Sequence, residues 1–220
     1  MIKDIINWIK DFDTSLLFSI ITAIISITAL IQSSIQIRLN NKQHLFDRRI
    51  NNYLITKGLV NLYDSTKQLL NEKKDDSLLN VDVAFCLLTN NVYLESISEI
   101  IKNPKNDDIK RKFLTKMEDL EKIASESELI FSRKYGNRVS GFVHNYKEAL
   151  IKMYEYQILL TNIEAIHKRN SNKVIDKLRK ESNEYSYRYK LLNQYNNLSD
   201  SYMMLKKYNI IDKLKKEIKL

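Results

Sequence analysis

The chain has 220 residues, with 36 Lys or Arg against 27 Asp or Glu, a net charge of +9 and a single cysteine. One cysteine excludes a disulfide framework and a thiolate metal cluster. Three glycines and one proline are too few for the turns of a sheet-rich fold, and apolar residues throughout the chain exclude a disordered protein. The composition therefore predicts an all-α protein.

Residues 1–13, MIKDIINWIKDFD, predict an amphipathic segment lying at a membrane interface. Isoleucines recur every three or four residues, and Trp8 lies beside them at the depth expected of lipid headgroups. This segment carries slightly more acidic than basic charge, so the net positive charge lies behind it.

Residues 14–37 predict a transmembrane helix. No charge occurs from Thr14 through Ile37, and a helix of this length covers roughly 36 Å, against about 30 Å for a hydrocarbon core. A cleaved signal peptide is the alternative, but its basic first region and its cleavage site are not clear here. Basic residues follow the span closely, which predicts an outside amino terminus, a cytoplasmic remainder and contacts with anionic lipid. These are Arg38, Lys42, Arg48 and Arg49.

Within the predicted span, small residues recur at helical spacing and form a stripe. Small side chains let two helix backbones approach, so the stripe predicts self-association in the membrane. Alternatively, its hydroxyls bond to carbonyls of their own helix. The predicted association face consists of Ser19, Ala23, Ser26 and Ser33.

Residues 38–220 predict one cytoplasmic domain, an antiparallel bundle of about five helices joined by polar turns. Asp107 is the expected cap of the third helix, Gly136 an expected turn residue, and Asn197 the site of an expected break. Cys86 is expected to be a buried, inert thiol. The predicted helices are 40–72, 79–102, 107 to the SESE stretch, 139–168, and a helix or helix pair over 174–218.

The last segment is the most basic and is rich in tyrosine, which raises the question of a nucleic-acid partner. The helical spacing of its aromatic and leucine residues is instead typical of a buried helix face, so nucleic acid is not the favoured partner. The face consists of Tyr185, Tyr189, Leu192, Tyr195, Leu198, Tyr202 and Leu205.

The stretch RVSGFVH places Arg138 six residues before His144 at the start of a predicted helix. This spacing resembles the Arg-x4-6-His motif of HEPN ribonucleases, small helical domains that pair two such motifs across a dimer. The resemblance implies a membrane-tethered ribonuclease, in which Arg138 stabilises charge on the scissile phosphate and His144 assists proton transfer.

Other signals of chemistry are weak. Glu164 and His167 form one Glu-x-x-His pair, whereas a di-iron bundle needs two pairs and further carboxylates. The chain has no Gly-rich phosphate loop, nucleophile elbow or Cys/His cluster, so no cofactor and no metal are predicted.

Two stretches, HLFDRRINNYLITKGLVNLYD and SELIFSRKYGNRVSGFVHNY, resemble a loose group of uncharacterised bacterial single-pass membrane proteins. The resemblance implies a helical domain tethered to the membrane. Some bacterial proteins of this design serve in antiphage defence, which is an analogy of architecture. The leading prediction is a non-enzymatic interaction module that binds an unidentified protein or itself, as a sensor or effector in stress or phage response. An accessory subunit of a membrane complex is a further alternative.

Overall fold

The computed structural model describes residues 14–72, 81–169 and 175–218, so the predicted segment 1–13 lies outside the described residues. The described ranges contain helices and turns and no strand, which confirms the all-α class. In chain order the helices are α1 (Thr14–Glu72), α2 (Val81–Leu88), a 3₁₀ helix (Glu95–Ile101), α3 (Asp107–Ile130), α4 (Arg133–Arg169), α5 (Ile175–Glu181), α6 (Glu184–Lys207) and α7 (Ile210–Glu217).

The chain divides into two compact units, and their boundary falls inside α1. The first unit ends at Asp47 and the second spans Arg48–Lys219. The predicted division after Ile37 refers to the bilayer and not to packing, so it stays a prediction. The second unit contains the helical bundle, in which α4 contacts α2, α3, α5, α6 and α7.

Aromatic side chains fill much of the bundle core. Tyr63 of α1 lies 4.9 Å from the Tyr202 ring of α6 and 6.5 Å from the Phe142 ring of α4, measured between ring centroids. Phe113 of α3 lies 4.9 Å from the Tyr154 ring of α4. Tilted and edge-on pairs at these distances add to the stabilisation from apolar burial. The second half of α1 is therefore a core helix of the bundle.

Tyrosine hydroxyls along α4 attach the central helix to neighbouring segments. The fully buried Tyr146 donates to the Leu88 carbonyl at 2.6 Å, and Tyr154 donates to the Pro104 carbonyl at 3.0 Å. Tyr156 donates to the carboxylate of Glu184, at the start of α6. Burying a hydroxyl costs free energy unless it is hydrogen-bonded, so these contacts help determine where the segments containing Leu88, Pro104 and Glu184 pack against α4.

The single predicted helix 79–102 is wrong, because α2 ends at Leu88 and a 3₁₀ helix begins at Glu95. The Thr89 hydroxyl donates to the Phe85 carbonyl at 2.9 Å, and the Asn91 side chain accepts the Leu94 amide at 2.8 Å. Short polar side chains that bond to nearby backbone compete with a continuing helix.

The boundaries of α3 and α4 also differ from the prediction. The cap of α3 is Asn106 and not Asp107, since the Asn106 side chain accepts the Asp108 and Ile109 amides at 3.0 and 3.1 Å. α3 continues through the SESE stretch because Ser127 faces the core and is fully buried. Gly136 lies within α4 and not in a turn, at a point where α4 approaches the backbone of α3.

The predicted break at Asn197 is wrong, because α6 runs unbroken through it and buries Leu198 in the core. The breaks lie at Asn183 and Asn209, whose φ angles are 52° and 47°. Asparagine is one of the few residues that adopts this left-handed conformation readily.

The predicted buried face of α6 is correct only in its second part. Leu191, Tyr195, Leu198, Tyr202 and Leu205 are buried, whereas Tyr185 and Tyr189 are exposed. Leu192 is partly buried against the core.

Cys86, which the sequence predicts to be buried, is partly and not fully buried.

Candidate functional site: the apolar helix and the Arg48 to Asn52 network

The first half of α1 presents apolar side chains on every side. Twelve large apolar residues between Leu16 and Ile37 are each 44 to 71 per cent exposed, and no residue from Ser15 to Ile37 is buried. By length and composition, α1 is long and apolar enough to cross a membrane. A helix that is apolar all round lies inside a large core or in a membrane.

The hydroxyls of Ser19 and Ser26 in the predicted association face are bonded within α1. Ser19 donates to the Ser15 carbonyl and Ser26 to the Thr22 carbonyl, both at 2.8 Å. In a bilayer these bonds would satisfy the hydroxyls and would leave the small side chains themselves as the surface that a second helix meets. Association through Ser19, Ala23, Ser26 and Ser33 stays a prediction.

The four predicted lipid contacts fall into two pairs. Arg38 and Lys42 are exposed residues of the first unit. Arg48 and Arg49 belong to the second unit and bond within it, since the Arg48 guanidinium lies 2.8 Å from Glu126 Oε1. Sequence reasoning treated these four cations alike, whereas the structure gives Arg48 and Arg49 partners inside the protein.

Arg49 links the carboxyl ends of two helices. Its Nε donates to the Ile130 carbonyl of α3 at 2.6 Å, and an Nη donates to the Glu217 carbonyl of α7 at 2.9 Å. Carbonyls at the end of a helix lack intrahelical partners and carry partial negative charge, so a guanidinium stabilises both ends. The Glu217 carboxylate in turn accepts the Ser132 amide and hydroxyl at 2.9 and 2.6 Å.

Asn52, one turn after Arg48, continues this network into the core. Asn52 is fully buried, and its amide donates to Glu126 Oε2 at 3.0 Å. The Ser127 hydroxyl lies 3.0 Å from Asn52 Oδ1 and 2.8 Å from the Ile123 carbonyl, two acceptors that share its one proton. Sequence reasoning missed this network because Arg49 donates to two backbone carbonyls, which no sequence pattern marks. The available signal was the polar run RRINN inside an otherwise apolar periodicity.

An open groove of about 460 Å³ lies beside this network, between α1 and α3, with Tyr93 in its wall. Its charged lining consists of two cations, Arg48 and Lys122, and two anions, Asp119 and Glu126. Burial raises the pKa of Tyr93, and the nearby Asp119 raises it further. Because charges of both signs are balanced, the groove offers no preference for an ionic ligand of either sign.

The structure does not bring Arg138 and His144 together. The guanidinium carbon of Arg138 lies 3.5 Å above the ring of Tyr208, between α6 and α7, and Nη1 is buried with no hydrogen-bond partner among the described residues. The exposed His144 places Nδ1 at 3.2 Å from Glu121 Oε2 of α3. Six residues turn a helix by about 600°, so the two side chains point about 120° apart.

The Glu121 carboxylate beside His144 also forms an ion pair with Lys147. Lys147 Nζ lies 2.8 Å from the same Glu121 oxygen, and hydrogen bonds from Lys147 and then His144 lower the pKa of Glu121. His144 is therefore part of a surface ion-pair group between α3 and α4. Glu164, of the Glu-x-x-His pair, forms an ion pair with Lys168 at 2.7 Å. In the part of the chain that the structure describes, no three His, Cys, Asp or Glu side chains form a group suited to a metal ion.

Comparisons with protein-family models, with characterised proteins and with solved structures find no match to this chain.

Proposed function

We propose that the chain is a membrane-anchored, non-enzymatic interaction module, in which the apolar half of α1 crosses the bilayer and the helical bundle lies in the cytoplasm. The observation that supports this most directly is the exposure of twelve large apolar side chains around one helix. Exposed apolar surface of this extent is typical of a segment that contacts lipid or another protein. The tether would raise the local concentration of the bundle at the inner leaflet.

The energetics favour insertion. Leu, Ile and Phe each contribute about −0.3 to −0.6 kcal/mol at the centre of a membrane helix, so twelve such residues supply about −5 kcal/mol before the smaller contribution of end positions and the cost of the Ser, Thr and Gln residues are subtracted. One arginine at the helix centre costs about 3 kcal/mol on the same scale. One substitution would weaken insertion, and two would abolish it.

The orientation rests on charge asymmetry. Arg38 and Lys42 follow the span and are exposed, whereas the residues before it carry slightly more acid than base. Cytoplasmic flanks are enriched in Lys and Arg, so we place the amino terminus outside. Arg38 and Lys42 are the proposed contacts with anionic lipid.

The proposal of binding rather than catalysis rests on the divergence of Arg138 and His144. The bundle would bind an unidentified protein, or the chain would self-associate through the small-residue stripe. Replacing Ser26 with Leu would then weaken an oligomer measured in uncharged detergent. A role in stress or phage response, or as an accessory subunit, extends this proposal by analogy alone.

The anchor is tested by fractionating cells that express the full chain, followed by alkaline extraction of the membranes. We expect the chain to resist extraction and the double variant Ile24→Arg/Ile27→Arg to be released. Leu129→Arg is the matched control, because Leu129 is an apolar residue of the bundle that is 81 per cent exposed. Release of the unmodified chain, or equal release of all three, would reject the anchor.

Orientation is tested in a Cys86→Ser background with single cysteines at Asp13 or Lys216. An impermeant maleimide applied to intact cells should label the first position and spare the second until the cells are opened. Labelling of Lys216→Cys in intact cells would reverse the proposed orientation.

A further inference from the structure

The positive charge of the chain is concentrated in its last quarter. Residues 168–220 contain fourteen Lys or Arg and six Asp or Glu, a net charge of +8, whereas residues 1–167 contain 22 and 21, a net charge of +1. A charge asymmetry of this size indicates an anionic partner for the basic part.

Three tyrosines at the start of α6 are exposed within this basic part. Tyr185 is 78 per cent exposed, Tyr189 63 per cent and Tyr187 38 per cent, while the buried face of α6 begins only at Leu191. Tyr185 and Tyr189 lie one helical turn apart, so their rings project from the same side of the helix. Large aromatic rings that pack against no core are available to a partner.

Cations lie on the same two helices as these rings, and one of them contacts a ring. The short helix α5 packs against both α4 and α6, and its last turn contains Arg179 and Lys180. Lys190 Nζ lies 5.7 Å from the centroid of the Tyr187 ring. Of the nearby acids, Glu184 accepts the Tyr156 hydroxyl and is thereby directed toward α4.

We propose that the start of α6, together with α5, is a binding surface for single-stranded nucleic acid, with Tyr185 and Tyr189 as stacking platforms and Lys180 and Lys190 as phosphate contacts. Proteins that bind single strands combine a basic surface with exposed aromatic rings, each of which receives one base. Two rings one turn apart would receive two bases of one strand. This surface is separate from the Arg138 and His144 positions and requires no catalysis.

An anionic bilayer is the other partner with the required charge, and the composition of the α6 part of this surface favours nucleic acid, while α5 exposes one aliphatic side chain, Ile175. A helix that binds a membrane surface opposes its basic face with an aliphatic one that enters the acyl region. The stretch Glu184–Lys190, EYSYRYK, holds tyrosine, serine and charged residues and no aliphatic residue. In this stretch Arg188 lies between Tyr187 and Tyr189 and Lys190 follows, so cations accompany the rings, as in proteins that bind a charged strand.

The test measures fluorescence anisotropy of a labelled oligouridine of about 12 nucleotides with the full chain in uncharged detergent. We expect binding that weakens with salt and falls by at least tenfold in Tyr185→Ala/Tyr189→Ala. Tyr185→Phe/Tyr189→Phe should bind like the unmodified chain, because phenylalanine preserves the stacking face. Met203→Ala is the matched control, since Met203 is 60 per cent exposed on the same helix but lies outside the surface.

The salt dependence of binding distinguishes the contribution of tyrosine stacking from that of the lysine contacts with phosphate. The logarithm of affinity for a single strand falls with the logarithm of salt concentration, with a slope of about −0.7 per phosphate neutralised. Lys180→Gln/Lys190→Gln should therefore reduce the slope by about 1.4, whereas the alanine double variant should lower affinity and leave the slope unchanged.

Three outcomes would overturn the proposal. The first is absence of oligouridine binding at low salt, and the second is binding that the Tyr185→Ala/Tyr189→Ala variant leaves unchanged. The third is tyrosine-dependent binding to vesicles containing phosphatidylserine without binding to oligouridine, which would assign the surface to a bilayer. Because the measurement is made in detergent, its result does not depend on whether α1 spans a membrane.

Discussion

Replacing Gly136 with Ala should destabilise the bundle, although alanine is the better helix former. A Cβ at this position would lie 2.4 Å from the Ser127 carbonyl oxygen and 3.1 Å from the Glu128 Cα. Both are backbone atoms of α3, which cannot rotate away as a side chain would. The two helices would have to separate locally, and the buried contact of the Ser127 hydroxyl with Asn52 Oδ1 at 3.0 Å links α3 to α1 at this point.

Gly141 offers a matched control on the same helix. A Cβ at Gly141 would meet no atom within 4 Å, and the residue is exposed. Gly to Ala in a helix interior gains about 1 kcal/mol at either position, while overpacking costs about 1 to 3 kcal/mol. With a backbone clash, we place the steric cost near the upper value. Gly136→Ala should then lose about 2 kcal/mol and Gly141→Ala gain up to about 1 kcal/mol.

The assay is unfolding of the full chain in uncharged detergent, followed by helical circular dichroism against urea and temperature. The propensity gain cancels between the two variants, so their difference of about 3 kcal/mol isolates the steric cost. For a domain of this size each kcal/mol shifts Tm by about 2 to 4 °C. Equal stabilisation of both variants would refute the close approach of α4 to α3. Equal destabilisation of both variants would show that the loss does not come from a steric clash specific to position 136.

Three further predictions concern side chains of the bundle. Tyr146→Phe should cost about 1 to 3 kcal/mol of bundle stability, because it leaves the buried Leu88 carbonyl without its donor. Tyr195→Phe should be neutral or stabilising, since the buried Tyr195 hydroxyl has no partner among the described residues. Urea unfolding of the two variants measures both effects. Hydrogen bonds, chiefly from Lys67, lower the pKa of Asp64 below its unfolded value, so its contribution to stability is present above about pH 4 and is lost as pH falls further; Asp64→Asn should flatten this acid limb of thermal unfolding. Arg49→Lys should lower bundle stability by about 1 to 2 kcal/mol without releasing the chain from membranes. An ammonium cannot reproduce the planar guanidinium fork that reaches the Ile130 and Glu217 carbonyls together. Unchanged stability would show that these two hydrogen bonds do not stabilise the helix ends.

Local properties of the chain were accessible from sequence alone. The helical class follows from composition, because too few turn residues are present for a sheet. The apolar half of α1 follows from an uncharged run longer than a hydrocarbon core. The end of α4 near Arg169 and the break before α3 also follow from short polar stretches. Each of these depends on residues adjacent in sequence, so no knowledge of packing was needed.

Helix ends inside the bundle were less accessible. Asn197 looked like a breaker, yet α6 continues through it because burial of Leu198 and Tyr202 outweighs the low helix propensity of one exposed asparagine. Gly136 looked like a turn residue, and its actual role is to let α4 approach α3. In both cases a tertiary contact outweighs a local preference by more than the roughly 1 kcal/mol that such preferences supply.

The partners of the charged and aromatic residues were decided by the tertiary structure alone. Arg49 bonds to carbonyls 81 and 168 residues away, and sequence assigned it to lipid together with Arg38. Tyr185 and Tyr189 share the helical spacing of Tyr195 and Tyr202, yet only the later pair is covered by other helices. Periodicity shows which residues share a face of one helix, whereas burial depends on where the neighbouring helices end, and that is set by contacts between residues far apart in sequence.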